Sequence, residues 1–390
     1  MGMTGFVYGS GCILGPIVGG SLADSSATWR WASYPCGLSV VILLTFVNQA
    51  FYLNLVIFGA MTPIYLFLLP SLPRQPGTAF MQKMKGLDWL GMVLTAGLYV
   101  SLTMAFSFGG AIWAWNGGRV IALTVVFGVL TIAFGVTQYY SVFTNKKDRL
   151  FPCEFLRSPQ LILLYVCMAC GGAALFVSVY YIPLYFLFVH SDSSTQAAVR
   201  LLPFICFYVA TILLCGAAMG RTGYRMVWYL ISGIFMTCGG VTMHTVRTDT
   251  PTANIYGYAI LLGLGMTTTQ AGYAVGPLLV KPDRVAEVIQ FLNISQGQSQ
   301  LIGLTIASAI FQSITFSSLK TVLAGTGYPD SEIQAAIAGA KSTVLQTTTP
   351  ELRAQCIDVI VRSIDDAWVL VIVAGALYTL CSCFLTRKRF

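Results

Sequence analysis

The chain has 390 residues, of which 56% are hydrophobic and only 9% are charged, and its mean hydropathy is +0.75. Soluble globular domains carry about 25% charged residues, so this composition excludes a soluble protein and predicts one that is embedded in a membrane. The formal net charge is +8.

Apolar stretches of about 20 residues or more follow one another along the whole chain. Only helices and closed barrels satisfy the backbone hydrogen bonds in lipid, and barrel strands would alternate over about 10 residues instead. The sequence therefore predicts an all-α membrane protein of about ten transmembrane helices. These lie near residues 2–23, 50–69, 87–108, 119–142, 161–188, 199–219, 226–245, 254–280, 286–312 and 367–386.

Lysine and arginine are unevenly distributed over the predicted loops. With the beginning of the chain in the cytoplasm, most of the 22 basic residues fall on the cytoplasmic side, as the positive-inside rule requires. Membrane orientation therefore explains the positive net charge, and no nucleic-acid partner is expected.

A long outer loop is predicted over residues 313–366. Within it Thr349-Pro350-Glu351 is typical of a helix start, and apolar residues recur at helical spacing after it. We expect a short amphipathic helix here, either on the outer membrane surface or packed over the bundle.

The opening segment contains a glycine and proline run whose members are Gly11, Gly15, Pro16, Gly19 and Gly20. Glycines four residues apart leave one bare helix face, against which a second helix can pack closely in a membrane. This run resembles the antiporter motif in the fifth span of drug:proton exchangers of the major facilitator superfamily (MFS). The resemblance implies that the run seals a half-bundle against leak.

Further segments resemble the fourteen-span drug:proton antiporter branch of that superfamily, and fungal toxin efflux pumps most of all. They are Leu87-Asp88-Trp89-Leu90-Gly91, Phe106–Gly110, Trp115–Arg119, Tyr180–Phe186 and Arg200–Pro203. The resemblance implies an MFS helical bundle whose first four spans are missing. Residues 1–69 would hold the last two spans of the N-terminal bundle, 70–150 a cytoplasmic loop and two linker spans, and 151–390 the six-span C-terminal bundle.

Residues 32–49 match nothing in the family. Without them Trp31 would join Ala50 in an order close to the family's usual entry into its sixth span. We expect this segment to be an insertion, from an intron retained in frame.

The segment between the sixth and seventh predicted spans resembles the superfamily's cytoplasmic loop motif, through Gly216, Arg221, Gly223 and Arg225. Gly220 stands where the family has an acid, which puts the family's charge relay in doubt here. The alternative is that the arginines only set membrane orientation or meet lipid phosphates.

Polar residues interrupt two late spans and suggest a substrate cavity. Gln290, Asn293, Gln296 and Gln300 recur at helical spacing, and Gln270 interrupts the span before them. Tyr180, Tyr181 and Tyr185 could add an aromatic wall for an amphipathic ligand. The alternatives are polar residues that only join helices and aromatic residues of the membrane interface.

Titratable groups for proton coupling are absent from the predicted span interiors, because Asp24, Asp88, Asp283 and Glu287 stand at span ends. The resemblance places the coupling residue in the missing spans. Cys167 and Cys170 share a helix face without a histidine or further thiol nearby, so we expect no metal and no cofactor.

Taken together, the residues and the resemblance predict proton-coupled efflux of a toxin, drug or fungal secondary metabolite. We expect a multi-pass protein of the plasma membrane, or else of the vacuolar membrane, whose partners are lipid, protons and a small amphipathic substrate, with no obligate protein partner. Without the missing spans, this chain would be inactive. The alternatives are a truncated, non-transporting protein or pseudogene product, and a related siderophore or nutrient uptake carrier. Enzyme templates such as HExxH and G-x-S-x-G are absent from the sequence.

Overall fold

The computed structural model describes residues 86–386, except residues 111, 147, 340 and 341. Before residue 86 it describes residues 11, 15, 17, 20, 21, 59, 62, 63, 66, 67 and 84. The first two predicted spans as continuous helices, the insertion over residues 32–49, and the motif positions Pro16 and Gly19 therefore lie outside the described residues.

The described part of the chain is helical, which confirms the predicted all-α class. Seven helical stretches in it are long and apolar enough to cross a membrane. In chain order the helices are α1 (Trp89–Phe108), α2 (Gly118–Tyr140), α3 (Pro159–Val189), α4 (Ser194–Arg200), α5 (Leu202–Thr222), α6 (Arg225–His244), α7 (Thr252–Gly265), α8 (Gly272–Val275), α9 (Val285–Val322), α10 (Asp330–Ala338), α11 (Thr343–Thr347) and α12 (Pro350–Cys383).

Small residues allow the bundle helices to approach one another closely. A Cβ atom added at Gly303 of α9 would lie 2.7 Å from the Ala173 Cβ of α3, and one at Gly375 of α12 would lie 2.7 Å from the Thr237 Oγ1 of α6. Lipid tails are as apolar as leucine, so close packing replaces the hydrophobic effect in holding such helices together. Glycine at these positions therefore sets the distance between the helices.

The predicted span 254–280 is broken, because α7 ends at Gly265 and α8 begins only at Gly272. A break inside a membrane frees backbone carbonyl groups, which must find other donors. The Ser232 hydroxyl of α6 donates to the Gly265 carbonyl, and the Thr269 hydroxyl donates to the Met266 carbonyl at 2.8 Å. Hydroxyl side chains therefore make the break tolerable at membrane depth.

The outer loop differs from the expected range 313–366. Helix α9 continues to Val322, and α12 runs without interruption from Pro350 to Cys383. The expected short surface helix is thus the first half of α12. Its apolar face enters the bundle, where Cys356, Ile360 and Ile364 are buried. This half of α12 therefore continues the last span and packs on the bundle, and it does not turn onto the membrane surface.

Candidate functional site

A cluster of three polar side chains lies on α9 and α8. The Tyr273 hydroxyl oxygen is 2.6 Å from Asn293 Oδ1 and 2.7 Å from Gln296 Oε1. One hydroxyl proton can serve only one of these oxygens, so the other amide must turn its NH₂ group toward the hydroxyl oxygen. The arrangement gives the cluster both donors and acceptors.

This cluster lies away from the ends of α9 and is open on one side. Gln296 is about 16 Å along α9 from Val285, the first residue of that helix. A hydrocarbon layer is about 30 Å thick, so we expect the cluster to lie at membrane depth. The Gln296 residue is buried, whereas Asn293 one turn earlier is exposed. Asn293 can therefore contact whatever lies against this face of α9.

The predicted polar stripe divides between two environments. The Gln290 Nε2 donates to the Leu150 carbonyl oxygen at 2.6 Å, so Gln290 joins α9 to the segment that follows α2. Gln300 is half-buried one turn beyond Gln296. Tyr273 did not emerge from the sequence, because helical spacing does not extend across the break between α7 and α8.

The predicted aromatic residues of α3 do not form one wall. Tyr180 is 47% exposed, whereas Tyr181 is fully buried with its ring centroid 5.8 Å from that of Phe311. The Tyr185 hydroxyl donates to the Arg247 carbonyl oxygen at 2.8 Å. Neighbouring positions on a helix point to different sides, so Tyr181 and Tyr185 belong to the interior and Tyr180 does not.

A cavity of about 290 Å³ lies between α5, the start of α6, and the broken segment. It brings together Gln270 and three residues of the predicted loop motif, Gly216, Gly223 and Arg225. Arg221, the remaining motif residue, is exposed and does not line it. The full lining is Ile212, Cys215, Gly216, Met219, Gly220, Gly223, Arg225, Thr267, Gln270, Ala271, Ala274, Val275 and Leu278.

This cavity has apolar walls, with Arg225, Gln270 and Thr267 as its polar members and no acidic residue among the described residues that line it. A pocket of this kind suits an apolar molecule that carries a few hydrogen-bond acceptors. A Cβ atom added at Gly220 would meet no described atom within 4 Å. The acid that the family has at this position would therefore find room there.

The glycine run is described at Gly11, Gly15 and Gly20. A Cβ atom added at Gly20 would lie 2.7 Å from the Ser194 carbonyl oxygen, at the start of α4. Cβ atoms at Gly11 and Gly15 would meet nothing within 4 Å among the described residues. Close packing of this run on the C-terminal bundle is thus seen at Gly20.

Two buried carboxylates were not expected from the sequence. Asp88 stands at a span end, as predicted, but its side chain is buried and caps α1. Asp365 of α12 lies inside the expected outer loop, yet it is buried and forms an ion pair with Arg247. The spacing of Val361, Asp365 and Trp368 on one helix face is the signal that could have revealed this burial.

Other charged residues near the predicted span ends form ion pairs at the surface. Glu287 pairs with Arg284 at 2.7 Å, and Arg284 also reaches Glu154 at 2.8 Å. Both carboxylates are partly exposed. Within the described ranges, no group of three or more His, Cys, Asp or Glu residues could hold a metal ion.

Known proteins of similar sequence show the family to which this chain belongs. No family model matches the sequence. The chain is 61% identical over 392 residues to "Efflux pump patC" of Aspergillus clavatus, covering 100% of this chain and 68% of that protein. It is 58% identical over 392 residues to "MFS-type transporter patC" of Penicillium expansum, again covering 100% and 68%.

More distant relatives carry the same kind of name. "Efflux pump alnA" of Emericella nidulans is 35% identical over 389 residues, covering 99% of this chain and 67% of that protein. A solved bacterial homolog of the human lysosomal transporter Spinster, inward-facing and occupied, aligns with a TM-score of 0.46 at 14% identity, covering 99% of this chain and 95% of that one. The three fungal relatives align with 99–100% of this chain at 35–61% identity. This multi-pass membrane protein therefore belongs to the MFS-type transporters, among the fungal efflux pumps.

Proposed function

We propose that this protein exports a small, partly apolar secondary metabolite in exchange for protons, across the plasma membrane. The names of its relatives support export, since two of them are called efflux pumps. The observation that carries the proposal for this chain is the Tyr273, Asn293 and Gln296 cluster, which places hydrogen-bonding groups on an open face of an otherwise apolar bundle.

The position of the cluster supports a role in substrate binding. Transporters built from two half-bundles bind their substrates near the membrane midplane, where the halves meet and where helices are broken. The cluster fits this arrangement, because Tyr273 follows a helix break and Asn293 is exposed on α9. A few polar groups there would orient a substrate whose apolar part packs against the surrounding helices.

The cavity beside Gln270 and Arg225 supports a ligand without positive charge. Arg225 carries the positive charge of this lining, Gln270 and Thr267 are neutral, and no acid among the described lining residues offers a charged partner for an ammonium group. A neutral or anionic compound with carbonyl or carboxylate oxygens fits this lining. A cationic drug would be repelled by Arg225 and would find no carboxylate among the described lining residues.

Export can be tested by deletion of the gene in its own strain, followed by measurement of metabolite retention and self-sensitivity. We expect the deletion strain to retain the metabolite and to become more sensitive to it, and we expect a protonophore to produce the same retention in the parent strain. Reduced accumulation from the medium would favour an uptake carrier. Unchanged retention with normal membrane insertion of the protein would favour the non-transporting alternative.

A further inference from the structure

We infer that Asp365 binds a proton from the outer aqueous side and thereby controls its ion pair with Arg247, which links external protons to the outer end of the C-terminal bundle. The inference rests on the proposed proton-coupled export and assigns it a residue. Asp365 is 118 residues from Arg247 in sequence, and the fold brings them into contact.

The two partners lie in different environments. The Asp365 side chain is only 5% exposed, whereas the Arg247 side chain is 48% exposed. Burial of an ionised carboxylate is unfavourable unless a cation and hydrogen bonds compensate for it. The guanidinium can leave for water, but the carboxyl group cannot follow it, so separation of the pair favours a protonated carboxyl group.

The surrounding charges leave Arg247 as the cation in contact with this carboxylate among the described residues. On α12 itself, Asp358 is already paired with Arg362 at 2.9 Å, and Asp366 adds a second negative charge beside Asp365. Asp249 lies in the segment between α6 and α7, and its charge acts on Tyr185 of α3. Asp366 and Asp358 favour the neutral form of Asp365, whereas Arg247, and Arg362 to a lesser degree, favour the ionised form.

The pair also connects three parts of the bundle. The Tyr185 hydroxyl of α3 donates to the Arg247 carbonyl oxygen at 2.8 Å. His244 at the end of α6 places its Nδ1 2.8 Å from the Asp365 carbonyl oxygen, which accepts a proton from it in the tautomer that carries one there. Release of Arg247 therefore removes the ion pair that joins α12 to the segment between α6 and α7, while the main-chain contact to His244 is kept.

The proposed step is a simple protonation. A proton from the outer solution joins the Asp365 carboxylate, the carboxyl group becomes neutral, and Arg247 keeps its own proton and turns to water. Return of the proton restores the ion pair. Asp365 is either protonated, with Arg247 released, or ionised, with the ion pair formed. External pH therefore sets the difference in free energy between these two states of the outer end, as coupling requires.

The experiment measures export at different external pH values in cells that express the full protein. Asp365→Asn removes the titrating group, and Asp358→Asn on the same helix is the matched control, since it removes a carboxylate that is already paired at the surface. In the wild type, we expect export to fall about tenfold per unit of external pH above the titration range, as proton occupancy does. Asp365→Asn should flatten this profile, and Asp358→Asn should keep its slope.

A second variant covers the case in which Asp365→Asn does not reach the membrane. Arg247→Gln removes the cation and leaves the carboxyl group, so proton binding should persist to higher pH and the profile should shift upward. A wild-type pH profile in Arg247→Gln, or in a membrane-inserted Asp365→Asn, would overturn the inference. Absence of proton-driven export in the wild type would instead overturn the proposed function.

Discussion

The Asp88 carboxylate accepts a hydrogen bond of 2.6 Å from the Gln138 amide, which ties the start of α1 to the end of α2. Asp88 also accepts from the backbone N–H groups of Gly91 at 2.8 Å and Leu150 at 3.0 Å. The Gln138 Oε1 accepts from the Phe151 N–H at 2.8 Å. One buried carboxylate thus closes the hairpin and holds the segment that leads to the C-terminal bundle.

Asp88→Asn should destabilise this hairpin. An asparagine side chain presents one carbonyl oxygen in place of two carboxylate oxygens, so at least one of three buried donors loses its partner, at a cost of about 1–3 kcal/mol. The thermal midpoint of the purified protein should fall. Asp148→Asn is the control, because Asp148 is exposed. Equal midpoints for both variants would show that the buried network contributes nothing.

Gln290→Leu should loosen the hairpin from the bundle. This side chain donates to the Leu150 carbonyl, so its loss removes a direct bond between α9 and the segment that follows α2. Spin labels at Val129 and Leu301, both exposed, should report one narrow distance in the wild type and a broad distribution in the variant. Gln312→Leu is the control, since among the described residues Gln312 donates to Ser308 on its own helix, at 3.0 Å.

Gly303→Ala should destabilise the bundle, whereas Gly297→Ala should not. The new Cβ at Gly303 would lie 2.7 Å from the Ala173 Cβ, which forces α3 and α9 apart at a cost of about 1–3 kcal/mol. At Gly297 the new Cβ meets no described atom within 4 Å, so the higher helix propensity of alanine should leave stability equal or improved. Thermal unfolding of both variants in one detergent compares them, and the reverse order would contradict the packing argument.

Tyr273→Phe should weaken substrate binding without unfolding the protein. The change removes the hydroxyl between Asn293 and Gln296, and a hydrogen bond of about 0.5–1.5 kcal/mol corresponds to a KM about two- to tenfold higher. Export kinetics at several substrate concentrations measure this effect. Tyr139→Phe on the exposed face of α2 is the control, and an unchanged KM in Tyr273→Phe would remove the cluster from the binding site.

The sequence alone determined the class of this protein and the approximate positions of the seven long apolar helices among the described residues. Lipid accepts only closed hydrogen-bonded backbones, so the length and apolar character of a stretch such as 119–142 are enough to predict the helix Gly118–Tyr140. The motifs around Asp88, Tyr180 and Arg200 carried the family resemblance, because they are local strings of residues. Such motifs can be recognised without any knowledge of how the helices pack.

The tertiary structure decided which polar groups are buried, what they contact and where helices break. Spacing placed Gln290 and Gln296 on one stripe, but Gln290 bonds to Leu150, whereas Gln296 contacts Tyr273, which follows a helix break. The sequence predicts that Asp365 lies in a loop, because its burial depends on neighbouring helices and its partner Arg247 is far away in sequence. The order of residues in one segment can indicate a buried helix face, but pairing across the fold is a property of the whole bundle, which that order cannot specify.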